Sequence, residues 1–193
     1  MMKKQDIPKK IIKAAETFIQ TRGYNAFSYR DIALEVGVKT SSIHYHFPTK
    51  ADLGKAVVEQ HLTDLSVNLE TLISNNKLSY ANKLDLFFET IFEMTYLSKR
   101  KMCLGGMLAS DVLTLPEAIQ EVVRIFFDKV EKWLEQLLIH GIHKGEFKPI
   151  QDTKQEAAMI LSFLEGALLL ARLYQDEKRL AHTKRNVLDR LNK

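Results

Sequence analysis

The sequence predicts an all-α protein of about nine helices, and three observations predict it. Apolar residues recur at three- and four-residue spacing through most of the chain, the pattern of one face of a helix. The 193 residues include only eight Gly and four Pro, which leaves room for long uninterrupted helices. No stretch alternates apolar with polar residues as a half-buried strand would, and no internal repeat or low-complexity segment stands out.

The first helix is expected at 7–22, where Ile7, Ile11, Ala15, Phe18 and Ile19 form one face and Gly23 ends it. A second, at about 29–36, opens on the capping pair Ser28 and Asp31, buries Ile32, Ala33 and Val36, and stops at Gly37. A third fits between Lys39 and Phe47, because Pro48 disfavours the helical conformation at Phe47. Thr49 and Asp52 form another capping pair, and the helix they open, at 50–74, carries Leu53, Val57, His61, Leu65, Leu69 and Leu72. Periodicity places further helices near 79–98, 102–112, 116–143, 153–175 and 179–191.

Charge divides the chain unevenly. Residues 1–55 hold ten Lys/Arg (Lys3, Lys4, Lys9, Lys10, Lys13, Arg22, Arg30, Lys39, Lys50, Lys55) against five acids (Asp6, Glu16, Asp31, Glu35, Asp52). That excess of five exceeds the +4 of the whole chain, so the remainder is slightly acidic. Such asymmetry points to a polyanionic partner. The N-terminus is charged and interrupted by Pro8, unlike a secretory signal, and a single cysteine, Cys103, fits a reducing cytoplasm. The longest apolar tract, 157–171, contains Glu165 between Glu156 and Arg172 and reads as a buried helix, with no membrane role.

Three helices within fifty residues, the last two joined by a glycine turn, describe a helix-turn-helix. The run Phe27-Ser28-Tyr29-Arg30-Asp31-Ile32-Ala33-Leu34-Glu35-Val36-Gly37-Val38, continued by Ile43-His44-Tyr45-His46-Phe47-Pro48-Thr49-Lys50-Ala51-Asp52-Leu53, resembles the DNA-binding domain of TetR/AcrR-type regulators. The remainder resembles one branch of that family more loosely, through Cys103-Leu104-Gly105-Gly106 and Lys144-Gly145-Glu146-Phe147. The resemblance implies a DNA-binding domain at 1–50, its closing helix running on, and a helical ligand-sensing and dimerisation domain at 51–193.

The same resemblance turns Lys39, Thr40, Ser41, Ser42, His44, Tyr45 and His46 toward operator DNA, with Ile43 and Phe47 facing the core. Ser28 and Lys50, each at a helix start, would hold phosphate. The chain departs from the common pattern at Ser41 and His44, where glycine and tyrosine are frequent. The implied function is a ligand-responsive repressor that releases its operator when it binds a small molecule. Phe88, Phe92, Tyr96, Cys103, Met107 and Phe127 are the candidate effector contacts, since aromatic and methionine side chains suit an adaptable apolar pocket. Residues 154–173 are apolar nearly all round, which a single neighbour does not cover; the resemblance implies a homodimer through this segment and the last helix, the alternative being a central core helix of a monomer.

Other readings of these residues are weaker. His44 and His46 project about 200° apart on a helix, so they do not share a metal ion, and His140 with His143 near a helix end fit dipole stabilisation. No cofactor is called for. The chain lacks a phosphate loop, a nucleophile elbow and a zinc-binding His-Glu-x-x-His, which argues against an enzyme. A DNA-binding module without a sensor, or a helical adaptor, is the alternative. For Cys103, Lys99, Arg100 and Lys101 together with a helix start near Met102 favour a reactive sensor thiolate, whereas Leu104, Met107 and Leu108 favour simple packing.

Overall fold

The computed structural model describes residues 7–192, so Lys3, Lys4 and Asp6 of the basic segment lie outside the described residues. Among those described the regular elements are helices: α1 (Ile7–Arg22), α2 (Tyr29–Val36), α3 (Thr40–His46), α4 (Lys50–Ser74), α5 (Tyr80–Met94), α6 (Leu104–Ser110), α7 (Glu117–His143), α8 (Thr153–Tyr174) and α9 (Lys178–Leu191). Short 3-10 turns occupy Tyr24–Ala26 and Val112–Thr114. Two compact units emerge. One comprises residues through Thr63 with Leu104–Phe126, the other Asp64–Cys103 with Phe127–Lys193, and α4 and α7 contribute residues to both.

In the first unit, α1 packs on α2 and α6, and α2 on α3. Ile11, Ala15, Ile19, Ile32, Ile43 and Leu53 form its interior. Gly54 permits close packing, since a Cβ there would stand 2.6 Å from Ile119 Cδ1 and 2.9 Å from the Tyr24 ring. The chain turns after Gly23 are pinned by Asp111, whose carboxylate accepts from the Tyr24 N–H at 3.3 Å. Below them His61 of α4 meets Glu16 of α1, Nδ1 to Oε1 at 2.7 Å, while Lys13 Nζ reaches the other oxygen at 2.6 Å. Burial opposes charge on Glu16, but these hydrogen bonds outweigh it and bring the carboxyl from its ordinary 4.5 to about 2.

In the second unit, α8 packs on α9 and α9 on α5. Phe87 joins Trp133, centroids 5.1 Å apart, and the indole N–H donates to Leu69 O at 2.9 Å. Lys83, almost wholly buried, donates to Ile73 O at 2.7 Å near the end of α4 and lies over the Tyr80 ring. The 144–147 segment locks three elements together. Gly145 takes φ +75, Glu146 accepts from the N–H groups of Tyr80 and Ala81 at the start of α5, and Phe147 is buried against Gly141. Lys148 N–H then donates to Leu191 O at 3.0 Å.

Two boundaries differ from the sequence expectation. The helix expected at 79–98 ends at Met94, where the Thr95 hydroxyl bonds Ile91 O and the backbone leaves helical angles (φ −114, ψ −102). Lys99 and Arg100 then take left-handed φ values of 64 and 55. The helix expected from 102 starts at Leu104. By length and composition α8 could cross a membrane, yet one face is buried on α9 and its Glu156 pairs with Arg190.

Candidate nucleic-acid interface

The α2–α3 turn is set by local chemistry. Gly37 is left-handed (φ 73, ψ 38), and both its N–H and that of Val38 donate to Ala33 O at 3.0 Å. A side chain there meets no steric obstacle, so the glycine is required by the backbone angle alone. At the start of α2 the Ser28 N–H and hydroxyl both donate to Asp31 Oδ2, at 2.7 and 2.6 Å, and those bonds lower the Asp31 carboxyl below its usual range. At the start of α4 the Thr49 N–H and hydroxyl hold Asp52 in the same way.

Only Ile43 of α3 is fully buried. Lys39, Thr40, Ser41, His44 and Tyr45 are exposed, Tyr45 at 82%, while Ser42 and His46 are half-buried. Phe47 closes the helix from the core side. The position of α3 is fixed by a residue that sequence reasoning missed: Tyr29 is buried, and its hydroxyl lies 2.8 Å from Phe47 O and 2.5 Å from Thr49 O, donating to this carbonyl pair. Burial pushes the phenol up to about 12, helped by the charge of Asp52, so it remains a donor. Its ring also supports His44, centroids 4.7 Å apart. Tyr29 follows the Ser28 cap as an aromatic at the first helical position, which was its only sequence signal.

Two residues are already engaged within the protein. Ser28 gives its hydroxyl proton to Asp31. Lys50, expected to hold phosphate, donates to Phe27 O at 2.5 Å and lies 4.3 Å and 4.7 Å over the Phe27 and Tyr24 rings. Partial burial lowers its pKa, an effect that Asp31 partly offsets. The cause is geometric: the lysine stem packs across aromatic rings, and the nearest acceptor is a carbonyl.

The expected effector residues divide. Phe88, Phe92, Tyr96 and Cys103 are buried in the second unit, with Phe88 and Phe92 centroids 5.8 Å apart, and half-buried Phe127 belongs there too. Met107, on α6, belongs to the first unit, its methyl 3.6 Å from where a Cβ on Gly23 would stand. The Cys103 thiol hydrogen-bonds the carboxyl of Glu165 on α8, whose pKa burial raises and that bond lowers. An acid is thus one of the groups bonded to the cysteine. Along α8, Phe163, Leu169, Leu170 and Leu173 are exposed, and Phe163 and Leu170 border, with α9, an open groove of about 540 Å³ that includes Gly166, His182 and Asn186. Among the described residues no three His, Cys, Asp or Glu side chains gather as a metal site.

Comparisons with known proteins agree with this architecture. Residues 11–57 match the model of bacterial regulatory proteins, tetR family, and residues 82–187 that of the tetracyclin repressor-like C-terminal domain. A TetR transcriptional regulator from Legionella pneumophila is 39% identical at a TM-score of 0.91, covering 100% of this chain and 99% of that one. A TetR family regulator from Agrobacterium tumefaciens is 29% identical at 0.92, covering 98% and 99%. The HTH-type transcriptional repressor DhaR of Mycobacterium sp. (strain GP1) is 22% identical over 170 residues, 86% of this chain and 82% of DhaR. With its helix-turn-helix and its C-terminal helices both matched, the chain belongs to the tetR family of bacterial regulatory proteins.

Proposed function

We propose that this regulator is a cytoplasmic repressor, a homodimer that binds operator DNA and releases it on binding a small molecule. The observation that carries the DNA reading is α3 itself, whose polar side chains are exposed on a helix clamped by Tyr29, Gly37 and two capping pairs. A recognition helix must present side chains to base edges from a fixed frame. In this reading Lys39, Thr40, Ser41, Ser42, Tyr45 and His46 face DNA, His44 and Ser28 meet its backbone, and Lys50 secures the helix starts around Phe27. Residues 1–50 form the DNA-binding part and 51–193 the sensing and dimerising part, with α4 and α7 as the continuous connections.

The exposed apolar residues of α8 support a twofold interface through 154–173 and α9, a four-helix arrangement that would cover them. Phe88, Phe92, Tyr96, Cys103 and Phe127 line the proposed effector region. We group the chain with family members that carry a Cys-Leu-x-Gly segment. Here Cys103 acts as a packing residue, because a negative sulfur would face the Glu165 carboxyl. Footprinting of the duplex upstream of the protein's own gene tests the reading. A partly palindromic protected site, lost on adding an effector, is expected, and uniform affinity for any duplex would overturn it.

A further inference from the structure

His44 is fixed at one nitrogen and open at the other. Its Nδ1 stands 3.2 Å from Pro48 O, and a carbonyl only accepts, so the tautomer that makes this bond carries its hydrogen on Nδ1. The Tyr29 ring, 4.7 Å away at 61°, sets the plane of the imidazole. Nε2 lies across the ring from Nδ1, on an exposed side chain. Neutral, it offers a lone pair; protonated, it offers an N–H. Phosphate oxygens accept and do not donate, so a ring that keeps its Nδ1 bond to Pro48 O can reach them through Nε2 only as the imidazolium.

We propose that His44 is a proton-coupled DNA contact, its Nε2 taking a proton from solvent as it meets a backbone phosphate, so that each subunit gains one proton on binding operator. This rests on the assignment of α3 as the recognition helix. The balance is simple: one N–H bond forms, the phosphate is unchanged, and the complex holds one proton more than its parts.

The surrounding groups leave that role to the DNA. From α2, Tyr29 stays a neutral phenol that donates to Phe47 and Thr49 carbonyls. From the start of α4, Asp52 is held by the Thr49 cap and Lys50 by Phe27 O. On α3 itself, the Tyr45 and His46 rings meet edge to face, centroids 5.0 Å apart, and Lys39 lies at the opposite end. The anion that would favour an imidazolium at Nε2 is therefore the phosphate.

The test uses the full-length protein and a duplex it selects from a randomised pool at pH 7. At constant salt, affinity should rise as pH falls from 8 to 6, by up to about tenfold per pH unit for each subunit, since the complex binds more protons than the free partners. Calorimetry in two buffers of different ionisation heat should register uptake of about one proton per subunit. Both His44→Tyr, which keeps a ring and a non-titrating donor, and His44→Gln should lose that uptake and flatten the profile. An unchanged pH slope in the variants, or a wild-type affinity that is flat or rises with pH, as a neutral ring accepting from a base amino group would give, overturns the proposal alone. Failure of the wild type to select any duplex overturns the DNA reading beneath it.

Discussion

Helices α3 and α8 both present side chains that the rest of their own unit does not cover, and they do so in opposite ways. The seven residues of α3 are polar apart from Ile43, and their frame is rigid: a left-handed glycine before them, a tyrosine bonded to two carbonyls behind them, and a capping pair on either side. The twenty-two residues of α8 expose Phe163, Leu169, Leu170, Leu173 and the ring of Tyr174. A polar surface satisfied by water needs accurate placement before it can select a partner, whereas an apolar surface gains from any partner that removes it from water. One face is built for discrimination, the other for affinity.

The largest effect is expected on α8. Each exposed leucine that becomes buried contributes about 1.5 to 3 kcal/mol. Leu169→Glu with Leu173→Glu should therefore weaken self-association at least about a hundredfold, measured by sedimentation, with little change in helical content. An unchanged association constant would mean that this surface has another use. Next comes the frame below α3. Glu16→Gln should destabilise the first unit by about 2 to 3 kcal/mol at pH 7, since a neutral amide replaces the charged acceptor of His61 and Lys13. The folded carboxyl titrates near 2, below its ordinary 4.5, so its contribution is complete above pH 4.5 and fades as pH falls toward 2. Acid melts of wild type and variant should accordingly converge in that window.

Tyr29→Phe removes the donor shared by Phe47 and Thr49 and should cost about 1 to 2 kcal/mol in chemical denaturation. Gly37→Ala should cost about 1 kcal/mol from the left-handed angle, since the space around it is open. The smallest change is expected from Lys50→Met on the salt dependence of DNA binding. A phosphate-holding lysine would lower the slope by about one counterion per subunit. A lysine anchored on Phe27 O should leave it in place, so a reduced slope would return Lys50 to the DNA contacts.

What sequence could reveal follows from the range of the forces involved. The starts of α2 and α4 were legible because Ser28 with Asp31 and Thr49 with Asp52 act over three residues, and Gly37 ended α2 through its own backbone. The burial of Ile43 and Phe47 followed from the motif. The end of α5 was not legible, as no glycine or proline lies near Thr95 and the left-handed pair Lys99 and Arg100 has no local cause. Glu16 and His61 are 45 residues apart, and Cys103 meets Glu165 only through folding. Lys50 shows a subtler limit. Its type and place suggested phosphate, whereas the two rings and the carbonyl it also meets come from the turn before α2 and had no local signal.

The bond from Lys148 N–H to Leu191 O, with the bridge between Phe147 and Asn192, closes the stretch that contains α8 and α9 at its base. A helical hairpin tied at its open end has no free terminus from which to fray, so it should exchange its amide hydrogens as one cooperative segment rather than by progressive peeling from the last turn. The surface proposed for pairing would then be gained or lost whole, and a dimer built on it would have no half-zipped state.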